Sequence, residues 1–282
     1  MIHLGLIGWP VSHSLSPKMH NAAFRALKMD GEYSLCPVEP GSSTALEFVL
    51  DQVRVGNLAG LNVTIPYKQT VIPLLGRLTP AAAAIGAVNT IYFDQEQLVG
   101  DNTDAPGFIS DLRKFAGEKF EEQPEKIIVL GAGGSARAVT WALAKDSTPI
   151  LVAARNIGQA KHLVDSIRLS RDGANLEAIE LSVNALRNQF DHTKLIVNTT
   201  PLGMIPNIDL SPWPDELDFP GSAIVYDLIY NPRETRLINR ARKKGLRAST
   251  GLGMLVEQAA LGFEIWTGCK PDRDLMLSSL EE

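Results

Sequence analysis

Cysteine is scarce in this 282-residue chain, which has only Cys36 and Cys269. Two cysteines cannot form a disulfide framework, and neither stands in a CxxC or Cys/His spacing, so no metal site is expected. The five histidines, His3, His13, His20, His162 and His192, are scattered without a ligand pattern. Long basic runs are missing too: 27 Lys plus Arg stand against 32 Asp plus Glu, a net charge of −5. That balance argues against nucleic acid and anionic membranes as partners. No apolar run approaches the ~18 residues of a membrane span. The start, Met1-Ile2-His3-Leu4-Gly5, lacks a basic segment followed by a long apolar stretch. Repeats at solenoid periods and low-complexity tracts are likewise missing. These gaps leave a soluble, cytoplasmic protein as the expectation.

What is present is apolar material for real cores, 45% of the chain, with an ordinary 21% charged. At roughly 100–200 residues per domain, the length suits one large domain or two modest ones. Strand-like runs at residues 3–8, 33–38 and 61–66 alternate with helix-like stretches at 17–29, 44–53 and 68–75. A strand pair at 87–93 and 97–100 precedes a helix at 105–115. Residues 117–125 are charged, end near Pro124 and read as a break. Beyond it strands are expected at 127–130, 150–153, 195–198, 223–227 and 246–248, with a last helix at 253–266. Strands separated by helix-length segments predict α/β layers with parallel pairing, here in two domains.

The strand at 127–130 runs into Gly131-Ala132-Gly133-Gly134-Ser135-Ala136. This fits G-x-G-x-x-G/A: the first glycine allows a tight turn, the second lets backbone approach a pyrophosphate, and a small third residue lets helix pack on strand. Helix amides would then face the phosphates. The motif alone is weak evidence; following a strand and opening a helix, it predicts a dinucleotide site. About 20 residues on, an NAD enzyme usually carries an acid for the ribose 2′-hydroxyl. Here stand Ala154-Arg155-Asn156. An arginine and no acid favour NADP, with Arg155 pairing with the 2′-phosphate, against the plainer view of a solvated strand-end arginine.

Polar residues gather at a few places in the first hundred. Ser14 and Ser16 sit between a strand and a helix, where hydroxyls beside exposed amides suit a small carboxylate. Ser16 before Pro17 also reads as a helix cap. Lys68 stands in a first helical turn, where the dipole disfavours a cation, at a strand's carboxyl end, where α/β folds bind ligands. Asp104 reads equally as a cap of the helix beginning at Ala105. Asn89 in a β-like run, and Gln258 on the apolar stripe of Met254, Leu261 and Ile265, each need a partner.

Taken together these segments resemble the shikimate dehydrogenase family, in order and along the whole chain. The likeness rests on His13-Ser14-Leu15-Ser16-Pro17, Asn62-Val63-Thr64-Ile65-Pro66-Tyr67-Lys68, Gly86-Ala87-Val88-Asn89-Thr90, Asn102-Thr103-Asp104-Ala105-Pro106-Gly107 and the glycine loop. It extends through Asn198-Thr199-Thr200-Pro201-Leu202-Gly203-Met204, Tyr226-Asp227-Leu228-Ile229-Tyr230-Asn231-Pro232 and Gly251-Leu252-Gly253-Met254-Leu255-Val256-Glu257-Gln258. The resemblance implies an α/β fold of two domains. Residues 1–104 completed by 251–282 would form the substrate-binding and catalytic domain, and residues 105–250 a Rossmann NADP-binding domain. It also implies reversible NADP-dependent reduction of 3-dehydroshikimate to shikimate in aromatic amino acid biosynthesis, by a monomer or homodimer. Lys68 and Asp104 carry over as the catalytic pair, and Ser14, Ser16, Thr64, Asn89, Tyr230 and Gln258 as substrate contacts. Gly131, Ala132, Gly133, Gly134, Ser135, Ala154, Arg155, Asn156, Leu228 and Gly251 fall on the cofactor side. Where many members read Asn-Arg-Thr, this chain reads Ala154-Arg155-Asn156, which opens relaxed cofactor choice.

Three rivals stand beside this reading. A quinate/shikimate dehydrogenase of broader specificity, using NAD, is the nearest. A folate-linked dehydrogenase fits the Asn102-Thr103-Asp104 segment poorly. A non-catalytic sensor on the same scaffold should have lost Lys68 or Asp104, and both are present.

Overall fold

The fold is described from a computed structural model over residues 1–117, 125–145 and 147–281. The break expected at 117–125 therefore lies mostly outside the described residues. The chain divides into two compact units, residues 1–107 with 256–282, and residues 108–255.

The first unit opens with β1 (Ile2–Gly8), α1 (Ser16–Ala26), β2 (Gly31–Pro37), α2 (Ser43–Arg54), β3 (Gly60–Val63) and α3 (Tyr67–Thr70). A 3-10 turn (Ile72–Leu74), β4 (Arg77–Leu78), α4 (Pro80–Ile85), β5 (Thr90–Asp94) and β6 (Gln97–Asp101) follow, and then α5 (Asp104–Ala116), which passes into the second unit after residue 107. The sheet order is β2-β1-β3-β5-β6-β4. β1 pairs in parallel with β2 and β3, whereas β5 runs antiparallel to β3 and β6. Leu4, Ile7 and Leu61 of the central strands are fully buried, and Ile7, Leu61 and Val63 share a core with Leu50, Val71 and Ile91.

Two local expectations need correction, and one helix was not foreseen. The helix at 68–75 is broken into α3 and the 3-10 turn, because Pro73 supplies no amide to continue the ladder. β3 stops at Val63 instead of reaching 66, and β5 starts at Thr90, so Asn89 precedes its strand. Thr79 and Pro80 open a helix over the alanines 81–84, capped by Thr79 Oγ1 accepting from Ala82 N at 3.2 Å.

The second unit runs β7 (Lys126–Leu130), α6 (Gly134–Leu143), β8 (Ile150–Ala154), α7 (Ile157–Ser170), β9 (Leu176–Glu180), α8 (Val183–Arg187) and β10 (Thr193–Asn198). It continues with β11 (Ile224–Asp227), α9 (Arg236–Lys243) and β12 (Ala248–Thr250). Its sheet is wholly parallel, in the order β12-β11-β10-β7-β8-β9. Renumbered from β7, that is the doubly wound order 3-2-1-4-5-6, whose crevice lies where β7 meets β10. Ile127, Ile128, Val129 and Leu130 are all 0% exposed, as a strand covered on both faces must be. The chain ends with α10 (Leu252–Thr267) and α11 (Arg273–Ser278), which carry it back into the first unit from residue 256 on.

Candidate active site

The geometry starts from how β3 ends. Thr64 N donates to Ile7 O at 2.9 Å, and Tyr67 N donates to Thr64 O at 2.9 Å, turning the chain into α3. Lys68 thereby emerges beside α5, and its Nζ donates to Asp104 Oδ2 at 2.7 Å. The two side chains are only 13% and 6% exposed. Desolvating such a pair offsets much of its Coulomb attraction, so stability alone does not account for it.

Asp104 opens α5 without capping it. The cap is Asn102, whose Oδ1 accepts from Ala105 N at 3.1 Å while its Nδ2 donates to Ala87 O at 2.9 Å. Both oxygens of Asp104 thus serve side chains, Lys68 on one and Asn89 Nδ2 on the other at 2.9 Å. Asn89 is the hub of the cluster and 2% exposed. Its Oδ1 accepts from Thr103 N at 2.7 Å and Thr90 Oγ1 at 3.0 Å, and its Nδ2 also reaches Gln258 Oε1 at 3.3 Å. The partner required of Gln258 is therefore Asn89, 169 residues away.

Ser14 and Ser16 lie together, Ser14 Oγ donating to Ser16 Oγ at 3.2 Å and accepting from Ser16 N at 3.2 Å. Ser16 is the first residue of α1, where Leu15 at the cap position makes no side-chain bond and Ser14 Oγ takes the Ser16 amide, so the capping role expected of Ser16 is not used. Thr64 stands at the end of β3, and a Cβ on Gly8 would lie 2.3 Å from its methyl.

In the second unit, Gly131 adopts φ +111°, and a Cβ there would lie 2.7 Å from Thr199 Oγ1. Thr199 Oγ1 in turn donates to Leu130 O at 2.7 Å. Gly133 has open space on its Cβ side and precedes α6, which no side chain caps. The loop Gly131, Ala132, Gly133, Gly134 and Ser135 thus leads into the start of α6 with open space at Gly133 and no side-chain cap from that residue, which fits a pyrophosphate. Ala136 is fully buried, as close helix–strand packing requires.

At the end of β8, Ala154 is buried and Arg155 exposed, with no ion-pair partner for Arg155 among the described residues. Asn156 caps α7, its Oδ1 accepting from Gln159 N at 3.2 Å. Gly251 packs where only glycine fits, since a Cβ would lie 2.1 Å from Leu228 O. Leu228 N donates to Asn198 O at 2.9 Å. Tyr230 follows in the same segment of this unit, whereas the other expected substrate contacts belong to the first.

Comparison with known proteins bears on what this arrangement is. Residues 6–91 match the shikimate dehydrogenase substrate binding domain, and residues 251–281 the shikimate 5'-dehydrogenase C-terminal domain. A relative from Salinibacter ruber named shikimate dehydrogenase (NADP(+)) is 43% identical over 270 residues, 93% of this chain and 90% of the relative. The chain belongs to the shikimate dehydrogenase family. A shikimate 5-dehydrogenase from Thermus thermophilus, solved with NADP(H) and shikimate, superposes with a TM-score of 0.83 at 36% identity, covering 100% of this chain and 99% of that one. A quinate dehydrogenase from Corynebacterium glutamicum, solved with NAD, gives 0.85 at 29% identity, covering 99% and 98%. The fold therefore leaves the choice of polyol and nicotinamide to individual side chains.

Within this family member, several residues gain roles from contacts for which the sequence analysis assigned them none. Asn102 is one. Asp227 is another: it is 0% exposed and accepts from Asn198 Nδ2 at 2.8 Å, Ile229 N at 3.1 Å and Thr235 Oγ1 at 2.7 Å. Burial pushes its carboxyl up to about 6, against the downward pull of those hydrogen bonds. Arg137 on α6 is buried against α7, bonding Ser166 Oγ at 2.7 Å and His162 Nδ1 at 2.8 Å, and burial lowers its pKa. A polar residue inside an apolar helix pattern was the available clue to Arg137.

Proposed function

We propose that the protein reversibly reduces 3-dehydroshikimate to shikimate with NADP, a step of aromatic amino acid biosynthesis, using Lys68 as general acid/base. The observation that carries this is the 2.7 Å Lys68–Asp104 pair, nearly buried at the carboxyl end of β3, in a chain of this family. Carbonyl reduction needs a proton delivered to the developing alkoxide. The Lys68 ammonium supplies it and recovers it in alcohol oxidation. Asp104 fixes the direction of the Lys68 side chain, while Asn89 holds the second oxygen of Asp104 still. Ser14 and Ser16 offer hydroxyls to the substrate carboxylate, with Tyr230 assigned to the same end. Thr64, Asn89, Asp104 and Gln258 read the ring hydroxyls.

The reduced cofactor, NADPH, would supply the hydride when bound, and NADP+ would take it back in alcohol oxidation. The glycine loop 131–135 would hold its pyrophosphate at the start of α6 and Arg155 its 2′-phosphate, with Leu228 and Gly251 on the cofactor side. A cytoplasmic location and a monomer or homodimer belong to the same reading.

A second reading, weak discrimination between NADP and NAD, has one observation in its favour. Asn156 Oδ1 is committed to capping α7, and Ala154 has no polar side chain, so Arg155 stands alone among the three at that phosphate.

Initial rates with shikimate and quinate, each with NADP and NAD, test the assignment, alongside Lys68→Met. Turnover led by shikimate with NADP, and a kcat loss of about 10²–10⁴-fold in the variant, is the expected result. A variant that keeps most of its turnover would remove Lys68 from the chemistry, and equal rates with quinate or NAD would move the protein to the broader branch.

A further inference from the structure

The first unit contains a buried polar chain that starts far from the reacting groups. Tyr33 on β2 is 2% exposed. Asn21 of α1 brackets its backbone, Oδ1 accepting from Tyr33 N at 2.8 Å and Nδ2 donating to Tyr33 O at 3.2 Å. Its ring stacks on His20, with centroids 4.2 Å apart and planes within 2°. His20 also stacks against Phe263, with centroids 6.0 Å apart. The ring has therefore almost no freedom, and its hydroxyl points one way, donating to Asn62 Oδ1 at 2.8 Å.

Asn62, 5% exposed, uses its other end on Asn89: Nδ2 donates to Asn89 O at 3.1 Å. That carbonyl also receives Val63 N at 2.8 Å. From Asn89 the chain runs through Nδ2 to Asp104 Oδ1, and from Asp104 Oδ2 to Lys68 Nζ. The path from the phenol to the ammonium thus runs through the Asn62 amide, across Asn89 from its backbone carbonyl to its side-chain amide, and through the Asp104 carboxylate. The strand register explains how Asn62 bridges them, since β1 lies between β2 and β3, and β3 pairs with β5 through Asn62 and Thr90.

We infer that Tyr33 is a positioning residue for the Lys68–Asp104 pair, acting through the Asn62 amide on Asn89. This rests on the catalytic reading of that pair given above. The physical reason is the cost of an orphaned buried acceptor. Without the phenol, Asn62 Oδ1 loses that donor in a site shut to solvent, with the His20 ring beside it but in no hydrogen bond of normal geometry, and the amide must rotate, shift or admit water to recover one. Each response moves the donor on Asn89 O, and so loosens the residue that holds Asp104. A proton donor displaced by a fraction of an ångström loses rate more than it loses ground-state binding.

Tyr33→Phe keeps the ring stacked on His20 and removes only the hydroxyl. Steady-state kinetics are compared for wild type, Tyr33→Phe, Asn62→Ala, the double variant and Lys68→Met, well below each protein's melting temperature. The expected result is a fall in kcat of about tenfold for Tyr33→Phe, with both KM values within about twofold of wild type. In the Asn62→Ala background the same change should cost nothing further, because the route to Asn89 is already cut. A residue that only supports the fold would lower the melting temperature and leave kcat unmoved, which overturns the inference. An undiminished loss in the Asn62→Ala background would also overturn it, showing that Tyr33 acts by another route. If Tyr33→Phe does not fold, Asn62→Ala decides: a kcat loss with KM preserved supports the relay, and an unchanged kcat ends it. Lys68→Met separates the two layers. Full activity in that variant sinks the catalytic reading and the relay with it, whereas its inactivity beside an unaffected Tyr33→Phe sinks the relay alone.

Discussion

Asn102 Oδ1 accepts the amide proton of Ala105 at 3.1 Å, and this bond determines what Asp104 can do. A helix start leaves orphan amides, and an aspartate at its first residue is a ready acceptor for them. With the cap filled from two residues back, both Asp104 oxygens turn to Lys68 and Asn89. Asn102 is itself fixed, its N donating to Asp101 Oδ1 at 2.7 Å, the oxygen that also receives Thr79 Oγ1 at 2.6 Å.

Asn102→Ala should therefore affect both stability and rate. Loss of the cap and an orphaned Ala87 carbonyl cost about 1–3 kcal/mol, read by urea unfolding. The vacant cap also competes for Asp104, so kcat should fall beyond what the remaining folded fraction explains. Unchanged kcat at full folding would show that the cap does not govern the carboxylate.

The architecture was legible where chemistry is local. Apolar runs ending in Gly131 or Asn198 gave the parallel sheet, and the glycine spacing gave the start of α6. Asp104, Lys68 and Ser16 were legible as polar residues at element ends, although two of the three had a capping explanation that the structure assigns elsewhere or leaves unused. Residues whose meaning depends on distant partners were not legible. Asn62 gains its role from Tyr33 and Asn89, 29 and 27 positions away, and Gln258 from a residue 169 positions away. Periodicity carries no information on such pairings. Short elements were lost for a related reason: β9, Leu-Glu-Ala-Ile-Glu, has only two apolar strand formers to announce it.

Arg155 invites a test of cofactor choice. It is exposed and unpaired among the described residues, so Arg155→Ala should leave the fold almost untouched. The KM for NADP should rise about 10–100-fold while that for NAD moves little, since a charge-assisted contact to a 2′-phosphate is lost only with NADP. Parallel changes for both cofactors would place Arg155 away from that phosphate.

Gly251 gives a sharper steric test. A methyl at this position would sit 2.1 Å from the carbonyl oxygen and 2.5 Å from the carbonyl carbon of Leu228, and backbone yields less readily than a side-chain tip. Gly251→Ala should destabilise the second unit by about 1–3 kcal/mol and shift the Leu228 segment. Cofactor binding by fluorescence titration should weaken, whereas the same change at Gly133, with open space around it, should leave stability almost unchanged. Equal stability of the two variants would contradict this account.

His20 and Asp227 give the two units opposite responses to pH. Burial holds the His20 imidazole near 3, with Asn62 working weakly the other way, and no hydrogen bond of normal geometry reaches either ring nitrogen. The unfolded chain protonates His20 near 6.5, so in this window it binds a proton that the folded unit refuses. Stability from His20 is then lost as pH falls below about 6.5, at up to ~1.4 kcal/mol per pH unit. Asp227 behaves in the other sense, because its folded value near 6 lies above the ordinary 3.8. The fold keeps a proton that the unfolded chain releases, so its contribution is full below about 4 and is lost as pH rises through 6. Between about pH 4 and 6 the two slopes oppose each other. Urea unfolding at about pH 4.5 and 7 separates them. Relative to wild type, His20→Phe should gain stability on acidification, since only the Asp227 slope remains, and Asp227→Asn should lose it. If both variants follow the wild-type change between the two pH values, neither group titrates as its burial requires.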